Sequence, residues 1–198
     1  MNYFINIWIK FFFLLTPFFT LSMYLSMTKN LNESKRQRLS YRVTVAILLT
    51  CFFLYFFGNY IFLIFGITLD SFRIGAGILL FLSAVRMVQD DSGTSLGENN
   101  EEEIAVVPLA IPITVGPATI GALLVMGAEV RDSFHKFVGF LALIAAVLCV
   151  GLLLLLSTYI ERVIGKKGFT ILGKLTGLVL AALAAQITFT GIKNFLTI

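Results

Sequence analysis

Six long apolar stretches, separated by short polar joints, decide what this chain can become. They run Tyr3–Met27, Val43–Phe65, Phe72–Val88, Ile104–Met126, Phe137–Ile160 and Ile171–Phe195. About 20 mostly apolar residues cross the hydrocarbon of a bilayer as one helix. In that solvent every backbone N–H and C=O must be paired inside the protein, so stretches of this kind span as helices. The third stretch is short, and the first and last hold Lys10 and Lys174 within their limits. Composition agrees: 58% of residues are hydrophobic and 13% charged, where a soluble domain carries about 25% charge. Twenty phenylalanines against one histidine complete the exclusion of a water-soluble globular domain. The first stretch reads as a retained span, because Phe11–Met27 is longer than a leader's apolar core and no small-residue cleavage site follows it.

Lys and Arg set orientation. Lys29, Lys35, Arg36, Arg38, Arg42, Arg86, Arg162, Lys166, Lys167 and Lys174 fall on one face, and Lys10, Arg73, Arg131, Lys136 and Lys193 on the other. The richer face is expected to be cytoplasmic, which puts both termini outside. The net charge of +4 therefore reflects loops, not nucleic-acid binding. The expected organisation is a single integral membrane domain, 1–198. It divides into repeat 1 (1–89), an acidic linker (90–103) and repeat 2 (104–198), the linker reading DDSGTSLGENNEEE with no calcium-ligand spacing. Cys51 and Cys149 lie in separate apolar runs, which argues against a disulfide framework or a zinc site.

The second half echoes the first. Pro17 and Pro117, Gly77 and Gly177, and Ala84 and Ala184 are displaced by 100 positions, and Tyr60/Tyr159 and Gly66/Gly165 by 99. Three spans per half is an odd number, so the second copy would sit upside down against the first, as in many secondary transporters. The fold class expected is thus an all-α membrane protein of six transmembrane helices, arranged as two inverted three-helix repeats with proline-broken helices 1 and 4.

Proline removes a backbone donor and clashes with the preceding turn. Pro17 lies near the centre of the first span and Pro117 near the centre of the fourth, which also holds Pro108, Pro112 and Gly116. Broken backbone is tolerated at membrane depth only where it is buried in protein or lines a cavity. Proline suits the first position of a helix, with Thr or Gly as the cap before it. Thr16-Pro17 and Gly116-Pro117 therefore read as the starts of half-helices. Their free N–H groups and positive dipole ends suit a carboxylate, with Thr20, Thr114 and Thr119 adding hydroxyls. The alternative is that the prolines only kink helices for packing.

Gln186, displaced by 100 from Arg86, is either a ligand group or a helix-to-helix hydrogen bonder. Arg73 and Arg86 read as snorkelling to head groups. Gly75, Gly77 and the Gly173/Gly177 pair read as close-packing positions. No carboxylate falls in the middle of a span, so an intramembrane proton relay is not expected and a neutral or zwitterionic solute is. Phosphate-loop, metal-helix and nucleophile-elbow motifs do not occur, so neither an enzyme nor a cofactor is expected.

The segments Pro108-Leu-Ala-Ile-Pro112-Ile-Thr-Val-Gly116-Pro117-Ala-Thr-Ile120, Phe65–Phe81 and Leu172–Ala181 followed by Gln186 resemble the MarC family of bacterial inner-membrane proteins, over nearly the whole chain. The resemblance implies six spans and kinship with transporters of neutral amino acids such as glycine and alanine. Where that family usually shows Asn-Pro with a second proline five residues on, this chain has Thr16-Pro17 and Ser22, and Phe18-Phe19 replaces small residues.

The expected function is transport of a small neutral solute, an amino acid foremost, by alternating access at a midplane site. The expected partners are the lipid bilayer and that solute, and a homo-oligomer is compatible with the glycine and alanine faces. A channel would need a continuous polar lining, which the spans lack. A non-transporting scaffold would use the small-residue faces for partners.

Overall fold

A computed structural model describes residues 2–29, 31–89, 114–130 and 132–196. The described residues form helices: α1 (Asn2–Leu14), α2 (Pro17–Met27), α3 (Glu33–Phe65), α4 (Leu69–Gln89), α5 (Pro117–Glu129), α6 (Ser133–Leu155) and α7 (Ser157–Leu196). Among the described residues, five helical stretches are long and apolar enough to cross a membrane: Tyr3–Met27, Glu33–Gly58, Leu69–Gln89, Ser133–Leu155 and Lys167–Leu196. The 13-residue α5 is a shorter apolar helix. The start of the fourth expected span, with Pro108 and Pro112, lies outside the described residues, as do Arg131 and the acidic linker.

Three expected boundaries move. The second span was read from Val43, but α3 begins at Glu33 and runs 33 residues. Its first three turns are polar yet helix-forming, so hydropathy alone does not find where the helix begins. The fifth span was read to Ile160, but α6 ends at Leu155 and Leu156 closes it, its N–H reaching the carbonyls of Leu152 and Leu154. The sixth was read from Ile171, but helix resumes at Ser157 and turns sharply at Gly165 (φ 67°, ψ 169°). A positive φ suits glycine, and Gly66, which ends α3, has one too (φ 64°, ψ 25°).

Packing follows small residues. Helix α4 lies along α7, α3 touches α5 and α6, α1 touches α6, and both α1 and α2 touch α7. At the α4–α7 crossing a Cβ on Gly77 would fall on the Thr188 hydroxyl and 3.0 Å from the Ala184 carbonyl oxygen. One on Gly177 would lie 3.0 Å from the Ala84 carbonyl oxygen. Among the described residues nothing lies within 4 Å of a Cβ on Gly75 or Gly173, so of the close-packing positions read from sequence Gly77 and Gly177 serve there. Thr44, Thr50, Ser83, Thr176, Thr188 and Thr190 return their hydroxyls to carbonyls four residues back, a local solution for a polar group in an apolar solvent. Leu63, Ile64, Phe65, Phe189 and Leu196 stand exposed on the outside, as a lipid-facing surface requires.

Candidate functional site

The first break is built by Pro17. Helix α1 stops at Leu14, the Leu15 and Thr16 amides bond back to Phe11 and Phe13 at 3.0 Å, and Thr16 turns left-handed (φ 46°, ψ 56°). Helix α2 then opens on Pro17, with the Thr20 amide on the Thr16 carbonyl at 2.9 Å. In an unbroken helix the carbonyls of Leu14 and Leu15 would accept from the amides of Phe18 and Phe19. The turn separates them, which orphans two acceptors and two donors.

The acceptors are answered by threonines. Thr20 Oγ1 donates to the Leu15 carbonyl at 3.3 Å, and Thr119 Oγ1 donates to the Leu14 carbonyl at 3.3 Å. Thr119 stands in the first turn of α5, so the second break lies against the first. There Gly116 is extended (φ −76°, ψ 175°), α5 opens on Pro117, and the Ile120 amide takes the Gly116 carbonyl at 2.9 Å. The amides of Ala118 and Thr119 precede the first bond of α5, as those of Phe18 and Phe19 precede that of α2. Positive dipole ends of two helices thus start within one buried neighbourhood.

Of the residues read from sequence, Thr16, Pro17, Thr20, Gly116, Pro117 and Thr119 gather at these breaks, and Thr114 is buried just before the second. Neither Thr16 nor Gly116 caps with a side chain, so Thr16 acts here through its backbone. Pro117 is exposed and Gly116 half-buried. Gln186 is not brought to the breaks. It is exposed on α7, two residues from the buried Ala184 and so about 200° around the helix from the face that meets α4.

One expectation is overturned. Arg73 does not snorkel: it is only 6% exposed and pairs with Asp70 at 2.5 Å and Glu129 at 3.0 Å. Asn194 donates to the same Asp70 oxygen at 3.1 Å. The cluster ties the start of α4 to the ends of α5 and α7, so α5 is held at Thr119 by α1 and at Glu129 by Arg73. The Asp70/Arg73 spacing of three was the only sign of it in the sequence, because Glu129 is remote along the chain. At the opposite face Arg36 Nε donates to the Thr28 carbonyl at 2.9 Å and Tyr24 donates to the Arg36 carbonyl at 2.7 Å. Among the described residues no His, Cys, Asp and Glu cluster could hold a metal.

The chain matches the family described as MarC family integral membrane protein over residues 1–196. It belongs to the MarC family. Among its relatives, the UPF0056 membrane protein MJ1677 of Methanocaldococcus jannaschii is 32% identical, covering 99% of this chain and 98% of its own length. The UPF0056 membrane protein YhcE of Escherichia coli is 30% identical over 92% of this chain and 88% of its own. The UPF0056 inner membrane protein YhgN of the same organism is 29% identical over 99% of both chains. No solved structure matches. Membership and the apolar helices together make this MarC protein a multi-pass integral membrane protein, with the lipid bilayer as its environment.

Proposed function

We propose that this MarC-family protein is a secondary transporter of small neutral solutes, neutral amino acids foremost, and not an enzyme. The observation that carries the reading is the Thr119–Leu14 hydrogen bond, which ties the proline-started α5 to the end of α1, just before the break at which the proline-started α2 begins. The amides of Phe18, Phe19, Ala118 and Thr119 would hold a carboxylate of the solute. Threonine hydroxyls beside them would take polar hydrogen bonds, and the described break residues carry no charged side chain to demand a net charge on the solute. Rocking of one half against the other would expose the site alternately.

The inverted arrangement of the halves is part of the proposal. Support comes from reciprocity at the 100-residue offset: a Cβ on Gly77 would lie 3.0 Å from the Ala184 carbonyl oxygen, and one on Gly177 3.0 Å from the Ala84 carbonyl oxygen. Gly66 and Gly165, one position off that offset, both adopt positive φ. The α3–α5 contact also has its counterpart in α6–α2, and α4–α5 in α7–α2. The proposed location is a bacterial inner membrane with both termini outside, on the charge asymmetry of the loops.

The test is counterflow of labelled alanine and glycine in proteoliposomes of the purified protein, beside Pro117→Ala and Gly116→Leu variants. Saturable exchange in the native protein, lost in variants that still insert, is expected. Full transport by both variants would sink the site.

A further inference from the structure

A recess of about 240 Å³ opens at the face opposite Arg73. Glu33, Arg36, Gln37 and Ser40 line it from the start of α3, and Thr158 and Arg162 from the start of α7. Two guanidinium groups share it. Arg36 is held in place by Nε on the Thr28 carbonyl at 2.9 Å and Nη1 on Thr158 Oγ1 at 3.2 Å, which leaves its Nη2 unspent among the described residues. Arg162 and Glu33 have neither ion pair nor hydrogen-bonding partner among the described residues. Two helices also begin here. Arg36 N is the first amide of α3 to find a carbonyl, that of Asn32, and Ile160 N the first of α7, that of Leu156. The amides before them point out of the helix ends with the positive ends of both dipoles.

We propose that this recess binds the phosphate of an anionic phospholipid. An arginine pair with helix-end amides is the donor set that phosphate oxygens take. Two arginines and one glutamate give the lining a formal charge of +1, which suits the single charge of a phosphodiester better than doubly charged inorganic phosphate. The recess is also continuous with grease. Leu155, Leu156 and Tyr159 line it as well and are 49%, 47% and 67% exposed, so acyl chains can lie on apolar surface while the head group reaches the arginines. Beyond them Lys167 and the Gly165 turn continue the basic face along which anionic head groups gather.

The test follows thermal unfolding of the full chain in neutral detergent as dioleoyl phosphatidylglycerol is added. Dioleoylglycerol, with the same tails and no phosphate, and millimolar inorganic phosphate serve as separate arms. Stabilisation by phosphatidylglycerol alone is expected. Arg162→Gln, at an exposed position without a partner, should unfold like the native chain without lipid but need about fivefold more phosphatidylglycerol, a loss near 1 kcal/mol. Gln37→Glu, which adds a second carboxylate to the recess, should show the same loss. Lys35→Gln, on the same face but outside the recess, should not. Equal stabilisation by dioleoylglycerol, the full effect from inorganic phosphate, or an equal loss in Lys35→Gln would each overturn the proposal.

Discussion

Thr119 donates its hydroxyl to the carbonyl of Leu14 at 3.3 Å, across 105 positions of sequence. The acceptor is one of the two that the turn before Pro17 strips of helical partners, so a defect in one helix is repaired by the first turn of another. Thr119→Val keeps the shape and removes the donor. Interhelical hydrogen bonds in membranes average about 0.6 kcal/mol and reach about 1.7, and Leu14 would be left with no other donor in view. A loss of about 1 kcal/mol is expected, read as a fall in the denaturation midpoint in detergent. Thr119→Ser, which keeps the hydroxyl, should lose less.

The small-residue positions give an internal control. Gly77→Ala sets a methyl on the Thr188 hydroxyl, and Gly177→Ala sets one 3.0 Å from the Ala84 carbonyl oxygen. Gly75→Ala and Gly173→Ala meet nothing within 4 Å. Alanine in place of a helical glycine gains about 0.5–1 kcal/mol where there is room, whereas overpacking costs about 1–3 kcal/mol. The first pair should therefore lower the unfolding temperature and the second pair raise it slightly. Identical responses from all four would mean that α4 and α7 do not cross as described.

How far the sequence reaches is visible in these same residues. Apolar runs locate the helices because a bilayer demands about 20 apolar residues in a row, and Pro17 and Pro117 mark where helices begin because proline has no N–H to give. Hydropathy reports solvent, not chain direction, so it could not find the close of α6 at Leu156 or the turn at Gly165. Nor could it name the partner of Thr119 or of Arg73, since both lie on other helices. For Gln186 the sequence leaves ligand group and helix-to-helix hydrogen bonder open, and the fold places it away from the breaks. Gly177, Leu180 and Ala184 form the buried stripe of α7, and Gln186 falls outside it.

Acid should loosen the start of α6. Asp132 caps that helix, accepting the His135 amide at 3.2 Å and His135 Nδ1 at 2.6 Å. These bonds, the side-chain one foremost, hold its carboxyl below the ordinary carboxylate value. A lowered folded-state pKa gives stability that is present above the unfolded value and is lost as pH falls through the folded one. Hydrogen exchange at the first-turn amides of α6 should therefore quicken, relative to α4, only below the usual carboxylate range. Asp132→Asn should show little of that acid dependence. An unchanged acid profile in Asp132→Asn would assign the effect elsewhere.

Arg73 and its two carboxylates should not be equally costly to remove. Arg73 is buried, whereas Asp70 and Glu129 keep 22% and 54% of their side-chain surface exposed. Exposed ion pairs contribute about 0–1 kcal/mol, so Glu129→Gln, which retains a hydrogen-bonding oxygen, should cost at most that. Arg73→Gln removes the common partner of both acids and, among the described residues, leaves Asp70 with the Asn194 amide alone. Arg73→Gln is therefore expected to destabilise more than Glu129→Gln, by about 1–3 kcal/mol, in paired urea titrations. The double variant with Asp70→Asn tests the cause. If the penalty is an unpaired Asp70 charge, neutralising that acid should recover part of the loss, and if it is lost packing, Asp70→Asn should recover none.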